Sequence, residues 1–269
     1  MSRLIEPMSS LLGGLLAAAI AAAGPQGSAP SPVQVPKVTA RLNVLFIMSD
    51  DLRPELGTYG SRLNAKTPHI DALAKLGVRF DRAYAQFALC NPSRSSLLTG
   101  RHPLSTGILG NRGFFRTEHP DFVSLPQFFK ENGYATLRAG KIFHGGIDDT
   151  ESWTVGGEPR GSNADAANNS TPANTQDRNG PPVARARASA SDRIVILEGE
   201  GEGDGDYAVA EQTIALLRQY KDRPFFMATG FSKPHSPPAA PRRFFDLYPL
   251  AAITLPPDFA PRPLSLIHI

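Results

Sequence analysis

Cys90 is the only cysteine in a chain of 269 residues, so it cannot form an intramolecular disulfide and its presence needs another reason. It opens the run Cys90-Asn91-Pro92-Ser93-Arg94-Ser95-Ser96-Leu97-Leu98-Thr99-Gly100. Pro92 suits the first turn of a helix, Leu97 and Leu98 give it an apolar side, and Gly100 suits its end. The cysteine would then stand at a helix N-terminus, where backbone N–H groups and the helix dipole attract anions. Arg94, one turn on, adds a planar cation suited to a tetrahedral oxyanion. An inert buried thiol is the plain alternative for a lone cysteine; the polar neighbours Asn91, Ser93, Arg94, Ser95 and Ser96 speak against it.

Chemically capable residues recur as Asp50 with Asp51, Lys141 with His144, and Lys233 with His235. Paired carboxylates suit a hard cation, lysines suit anionic oxygens, and histidines suit proton transfer. Each pair alone has a plainer reading. Adjacent aspartates often serve a cap or turn, Lys141 and His144 could be a solvated loop pair, and His235 between Pro234 and Pro237 could mark a rigid turn.

The elements around these pairs decide the matter. Leu42 to Met48 is a nearly continuous apolar run, as expected of a strand buried on both faces of a parallel sheet. It ends at Ser49-Asp50-Asp51. Thr67 to Gly77 predicts a helix, with Thr67 as cap, Pro68 in the first turn, Ile70, Leu73 and Ala74 on the buried face and Gly77 as the stop. Val78-Arg79-Phe80 suits the start of a short strand. After the Cys90 helix, Ser124 to Gly133 predicts a helix and Tyr134 to Ala139 a strand that runs out at Gly140-Lys141-Ile142-Phe143-His144. Tyr207 to Tyr220 predicts another helix, and Phe225 to Thr229 a strand that leads to Lys233-Pro234-His235. Strands alternating with helices imply an α/β fold with a mostly parallel sheet and helices on both faces. Ligands in such sheets bind beyond the carboxyl ends of the strands. Three separate segments therefore aim polar groups at one sheet edge.

The hydrophobic fraction of 41% and charged fraction of 20% are those of a globular protein. The net charge of +3 is small and scattered, with no basic block interleaved with aromatics, which argues against nucleic acid. Arg3, the apolar run Leu11 to Ile20 and the small residues Ala21-Ala22-Ala23 read as a signal peptide over residues 1–23. The run is too short and too rich in Ala and Gly for a stable membrane span, so the chain is expected to be exported, periplasmic or secreted. Residues 24–41, with Pro25, Pro30, Pro32 and Pro36, read as a flexible leader. Residues 161–190 read as an insert or disordered loop, with sequons at Asn168 and Asn169. The acidic, Gly-rich stretch from Glu198 to Asp206 reads as a solvated turn.

Cys90-Asn91-Pro92-Ser93-Arg94, followed by Leu98-Thr99-Gly100-Arg101, resembles the signature of type I, formylglycine-dependent sulfatases. Asn43 to Asp51 resembles their first strand with its paired aspartates, and Thr67 to Asp71 the helix after it. Asp51-Leu52-Arg53-Pro54, Gly140 to His144 and Lys233-Pro234-His235 resemble the iduronate-2-sulfatase branch more narrowly. The resemblance implies the alkaline-phosphatase-like sulfatase fold over residues 42–260, and conversion of Cys90 to Cα-formylglycine by a formylglycine-generating or anaerobic sulfatase-maturating enzyme. The hydrated aldehyde is a geminal diol; one hydroxyl attacks sulfur and the other expels sulfate, regenerating the aldehyde. Asp50, Asp51 and residue 90 would bind a divalent cation, calcium in most relatives. Arg94 would hold the formylglycine oxygen or the metal carboxylates, and Lys141 and Lys233 the sulfuryl oxygens. His144 would help take the diol proton and His235 would protonate the leaving alcohol. The implied substrate is a sulfated carbohydrate.

The family completes its metal site with a later Asp-His or Asp-Asn pair and a following lysine. No such dipeptide follows Pro257, so the domain is expected to be C-terminally truncated, with residues 261–269 an unassigned tail and little or no activity in the polypeptide as it stands. A phosphonate or phosphate-ester hydrolase of the same superfamily is the alternative, and a non-catalytic carbohydrate-binding relative the second.

Overall fold

The computed structural model describes residues 41–161, 194–202 and 204–253. The signal peptide, almost all of the leader, the insert with its sequons, and the tail lie outside the described residues.

Three parallel strands form the central sheet in the order β1 (Val44–Asp50), β4 (Phe225–Pro234), β2 (Ala135–Gly140). A second, two-stranded parallel sheet pairs β3 (Val195–Leu197) with β5 (Ala239–Pro241). The helices are α1 (Pro68–Leu76), α2 (Cys90–Thr99), α3 (Pro103–Thr106), α4 (Phe115–Glu118), α5 (Leu125–Glu131) and α6 (Gly205–Tyr220), followed by the short α7 (Arg242–Phe245).

β4 shows why helices cover both sheet faces. Successive strand side chains point to opposite faces. Phe226 and Ala228 join Leu98 of α2, Phe115 of α4, Ile142, Phe143 and Trp153 in one core. Phe225 and Met227 join Ala135, Leu137 and Ala139 of β2 with Val209 and Leu216 of α6 in the other. The expected α/β architecture is thus present, with each strand of the central sheet ending within two residues of a member of a candidate pair.

Local chemistry fixes the helix ends. The Ser124 side chain accepts from the Gln127 N–H while the Gln127 side chain reaches back, a reciprocal cap with Pro126 in the first turn of α5. Gly100 closes α2 in a left-handed conformation, φ 64°, that glycine adopts without steric cost. The close passage of β2 past β4 also depends on glycine. A Cβ on Gly230 would collide with the Lys141 backbone, and one on Gly140 with the Gly230 carbonyl. That passage lets the Lys141 N–H donate to the Gly230 carbonyl at 2.9 Å and delivers Lys141 to the sheet edge.

Four local expectations are corrected. β1 is not buried on both faces, because Leu45 and Ile47 are exposed. Thr67 occupies the N-cap position of α1 without a side-chain cap bond. Its hydroxyl instead donates to Asp71 Oδ1 at 3.0 Å and accepts from the Gly57 N–H at 2.9 Å. The face of α1 expected to be buried is exposed at Ile70 and Leu73. Val78 to Phe80 is not a strand: Val78 is 81% and Phe80 70% exposed, so no apolar burial holds the segment extended against a neighbour.

Candidate active site

β1 delivers Asp50 at its last position, buried, and Asp51 in the turn that follows. Asp51 has φ 58°, a left-handed value uncommon outside glycine; its side chain is exposed. β2 leads to Lys141, buried, and to half-buried His144 three residues later. Cys90 is the first residue of α2, as the sequence predicts, and Arg94 lies one turn on, buried.

Asp50, Cys90, Arg94 and Lys141 meet. Arg94 Nη2 donates to Asp50 Oδ1 at 2.9 Å, and Arg94 Nη1 donates to the carbonyls of Lys141 and Ile142 at 2.7 and 2.8 Å. Lys141 Nζ lies 2.8 Å from Asp50 Oδ2. With the Lys141 ammonium as its partner, Oδ2 is a buried carboxylate oxygen that keeps acceptor capacity for a further group. Cys90 Sγ is 3.8 Å from Asp50 Oδ1. The Arg94 and Lys141 charges outweigh burial and hold the Asp50 carboxyl below its ordinary range. Burial, then the Asp50 charge, push the Cys90 thiol up. A thiolate nucleophile requires the opposite environment, so the site is not tuned for thiol chemistry.

β4 supplies the fourth approach. Its pairing with β1 runs in register to Ser49 with Phe231 and then jumps to Asp50 with Pro234. The chain beyond the irregularity carries His235. Nδ1 of His235 lies 2.7 Å from the Ser236 carbonyl. A carbonyl only accepts, so Nδ1 carries the hydrogen and Nε2 of the neutral ring is left as acceptor or ligand. Nε2 is 3.9 Å from Asp51 Oδ2. Ligand atoms of Asp50, Cys90 and His235 all lie within 4.8 Å of one another. Lys233 belongs to the same loop, where its Nζ donates to the Pro237 carbonyl at 2.9 Å.

The sulfatase family model matches residues 42–251, which hold every one of these groups. This chain belongs to the sulfatase family. It is 39% identical over 236 residues to human iduronate 2-sulfatase and 37% identical over 236 residues to the mouse protein. Each match covers 85% of this chain and 41% of the relative, so the chain spans well under half the length of these relatives. Phosphonate monoester hydrolase of Agrobacterium radiobacter shares the fold, with a TM-score of 0.56 at 22% identity over 79% of this chain and 45% of that one. The architecture is that of the alkaline-phosphatase-like sulfatases.

The sulfatase donor set suits a hard divalent cation in part. Asp50 offers a buried oxygen with spare capacity and Asp51 an accessible carboxylate. Sulfur at position 90 is too soft a donor for calcium, whereas an oxygen there would match the carboxylates. These donors still fall short of the roughly six to eight oxygens calcium takes.

The acidic stretch is only in part the solvated turn expected. Glu198, Glu200 and Glu202 are exposed, but Asp204 is buried and caps α6 by accepting from the Asp206 N–H at 2.9 Å. Asp206 accepts from the backbone N–H groups of Ser232 and Lys233 at 2.7 and 2.8 Å. Burial raises its pKa against those two bonds. The only sequence signal was an Asp in the first turn of a helix, which is too common to single out.

Proposed function

We propose that this chain carries the nucleophile-bearing part of a sulfuric ester hydrolase acting on a sulfated carbohydrate. The observation that supports this most is the convergence of Asp50, Cys90, Arg94, Lys141 and His235 at one sheet edge, in a chain of the sulfatase family. The relatives named iduronate 2-sulfatase act on a sulfated sugar acid by that name, which supports a sulfated carbohydrate as the substrate class. An open cleft of about 900 Å³ lies past Asp51 and Pro234; Arg62 on its wall suits an anionic saccharide, while Arg53 there is paired with Glu55.

In this reading a maturation enzyme of the host converts Cys90 to formylglycine, whose hydrated aldehyde supplies an oxygen nucleophile with an internal route for releasing sulfate. Asp50, Asp51 and that oxygen would hold a divalent cation, which when bound would neutralise charge on the sulfate and acidify the hydroxyl. The rest falls to the chain's own side chains. Arg94 fixes Asp50 through one nitrogen and the Lys141–Ile142 backbone through the other. Lys141 places its ammonium where negative charge accumulates on the sulfuryl oxygens. His144 takes the proton from the diol. His235 delivers a proton from Nε2 to the departing alcohol when its ring is charged. Export rests on the N-terminal apolar run; no helix among the described residues is long and apolar enough to cross a membrane.

Mass spectrometry of the Cys90 peptide, expressed with a maturation enzyme, tests the first step. Unmodified thiol throughout would reject the formylglycine reading. Aryl sulfate against aryl phosphate and phosphonate, assayed in protein at the full length of its relatives, tests the second. A preference for phosphorus esters would replace sulfate with the alternative substrate class, and turnover of none of the three would favour the non-catalytic reading.

A further inference from the structure

We infer that Asp206 is the positioning residue that holds His235 at the site, reaching the residues that would meet substrate only through the backbone N–H of Lys233. The inference rests on the reading of His235 as the proton donor to the leaving alcohol.

The β1–β4 ladder is broken near its end. Ser49 pairs with Phe231 and Asp50 with Pro234, so Ser232 and Lys233 are two residues of β4 with no counterpart on β1. On its other side, β4 pairs with β2 only as far as Gly230. The backbone N–H groups of Ser232 and Lys233 therefore lose their ladder partners together, in a part of the molecule where Ser232 is buried. Unmade bonds from such groups are costly. One carboxylate meets both: Asp206 Oδ1 accepts from Ser232 at 2.7 Å and Oδ2 from Lys233 at 2.8 Å. From the opposite side the Ser49 hydroxyl donates to the Lys233 carbonyl at 2.6 Å.

The clamp decides where the next residues go. The His235 N–H donates to the Ser232 carbonyl at 3.1 Å, so the turn that carries the imidazole is built on the clamped residue. The ring then lies with Nε2 toward Asp51 and within reach of Asp50 and Cys90. Asp206 itself is fixed by α6, whose cap Asp204 binds the Asp206 N–H and whose Val209 and Leu216 pack on the sheet. A helix on one sheet face is thereby tied to the histidine at the sheet edge. Only a carboxylate serves here. An asparagine has one acceptor oxygen, and its NH2 would face a backbone N–H, donor against donor.

The test uses Asp206→Asn in the 269-residue chain, with long-range 1H–15N correlation of the His235 ring nitrogens as readout. In the parent chain the spectrum should show the single tautomer with hydrogen on Nδ1. The variant should lose that signature, with the two ring nitrogens moving toward averaged shifts, while resonances of the core residues Leu98, on α2, and Ile142, after β2, stay in place. If Asp206→Asn does not fold, Ser49→Ala releases the other side of the same bulge and should produce the same loss. Unchanged His235 resonances in whichever variant folds overturn the inference. A second readout separates positioning from general destabilisation. At the full length of the relatives, Asp206→Asn should lower kcat on an alkyl sulfate at least ten times more than on 4-nitrophenyl sulfate, whose leaving group needs little protonation. Equal losses on both esters also overturn it. The ring spectrum needs no turnover, so an inactive parent enzyme would reject the proposed function and leave the clamp to be judged by its own signal.

Discussion

Two clusters of buried charge flank β2, and they are finished to different degrees. Past the end of β2, Asp149 accepts from Arg116 Nε at 2.5 Å, Arg116 Nη2 at 2.7 Å, the Ser124 hydroxyl at 2.7 Å and the Ser152 hydroxyl. Its neighbour Asp148 accepts from Trp153 Nε1 at 3.1 Å and the Glu158 N–H at 2.8 Å, near Arg138. Both Asp149 oxygens are in use and the network ties α4, α5 and the turn after β2 together. At the sheet edge, Asp50 is as buried and faces two cations, yet one oxygen keeps acceptor capacity and a cysteine and a histidine stand within reach. The Asp149 carboxylate, with donors on both oxygens, holds the fold; the Asp50 carboxylate, with spare capacity beside a cysteine and a histidine, is equipped to take on a further group. The two should respond oppositely to mutation.

The largest effect belongs to the sheet edge. Cys90→Ala should lower hydrolysis by at least roughly 10⁴-fold in protein at the full length of the relatives, as loss of a covalent nucleophile does. It should leave stability within about 1 kcal/mol, since the thiol makes only the long contact to Asp50. Single-turnover kinetics and urea melts check the pair of outcomes. Next comes Lys141→Met, expected to lower kcat about 10²- to 10³-fold, the range for removing one donor to developing oxyanion charge. A change confined to KM would mean that Lys141 only binds substrate.

Asp149→Ala should reverse the pattern. It strips Arg116 of its carboxylate in a mostly buried setting, which costs about 3 kcal/mol, read as a lower urea midpoint. Once the variant is folded, kcat should stay within about twofold, because no atom of this network reaches the Cys90 cluster. A fall in kcat as large as that of Lys141→Met would erase the distinction between the clusters.

pH sharpens the same contrast within the finished cluster. Hydrogen bonds and charge from Arg116, with the Ser152 and Ser124 hydroxyls, outweigh burial and hold Asp149 below its ordinary 3.8. Its stabilisation is therefore complete above pH 3.8 and lost as pH falls through the lower folded value. Asp148 goes the other way: burial outweighs Arg138 and lifts its pKa above 3.8, so the folded state binds the extra proton and stability falls as pH rises through the window above 3.8. Asp149→Asn should flatten the acid limb of a stability–pH curve and Asp148→Asn the limb above it. Urea melts from pH 2.5 to 6.5 would show an exchanged assignment at once.

The unfinished cluster was the more legible of the two in sequence, for a physical reason. Strand ends in a parallel sheet share an edge, so Asp50, Lys141 and His235 could be brought together from apolar runs alone, and the cysteine run carried its own helix signals. The short strand at Val78 failed because apolar residues were read without knowing what would cover them. Asp149 and Asp206 were missed for another reason. Asp149 meets Arg116 across 33 residues and Asp206 meets Lys233 across 27. No local period encodes such pairings; they appear only once α6 and the turn after β2 are packed on the sheet. The left-handed turn at Asp51 was equally invisible, since aspartate there follows no glycine pattern.

The smallest predicted effect concerns the one lysine whose assigned task and observed contact point apart. The resemblance places both Lys141 and Lys233 on the sulfuryl oxygens. Lys141 stands with Asp50, whereas the Lys233 ammonium is held by the Pro237 carbonyl within its own loop. To reach substrate it must exchange that bond for one to sulfate, so part of the gain is cancelled. Lys233→Met should therefore raise KM by no more than about tenfold, 1.4 kcal/mol, and leave kcat nearly unchanged. A drop in kcat matching that of Lys141→Met would show that the ammonium leaves Pro237 before the transition state. The loop after β4 would then move during turnover, and the sheet edge would be unfinished in geometry as well as in bonding.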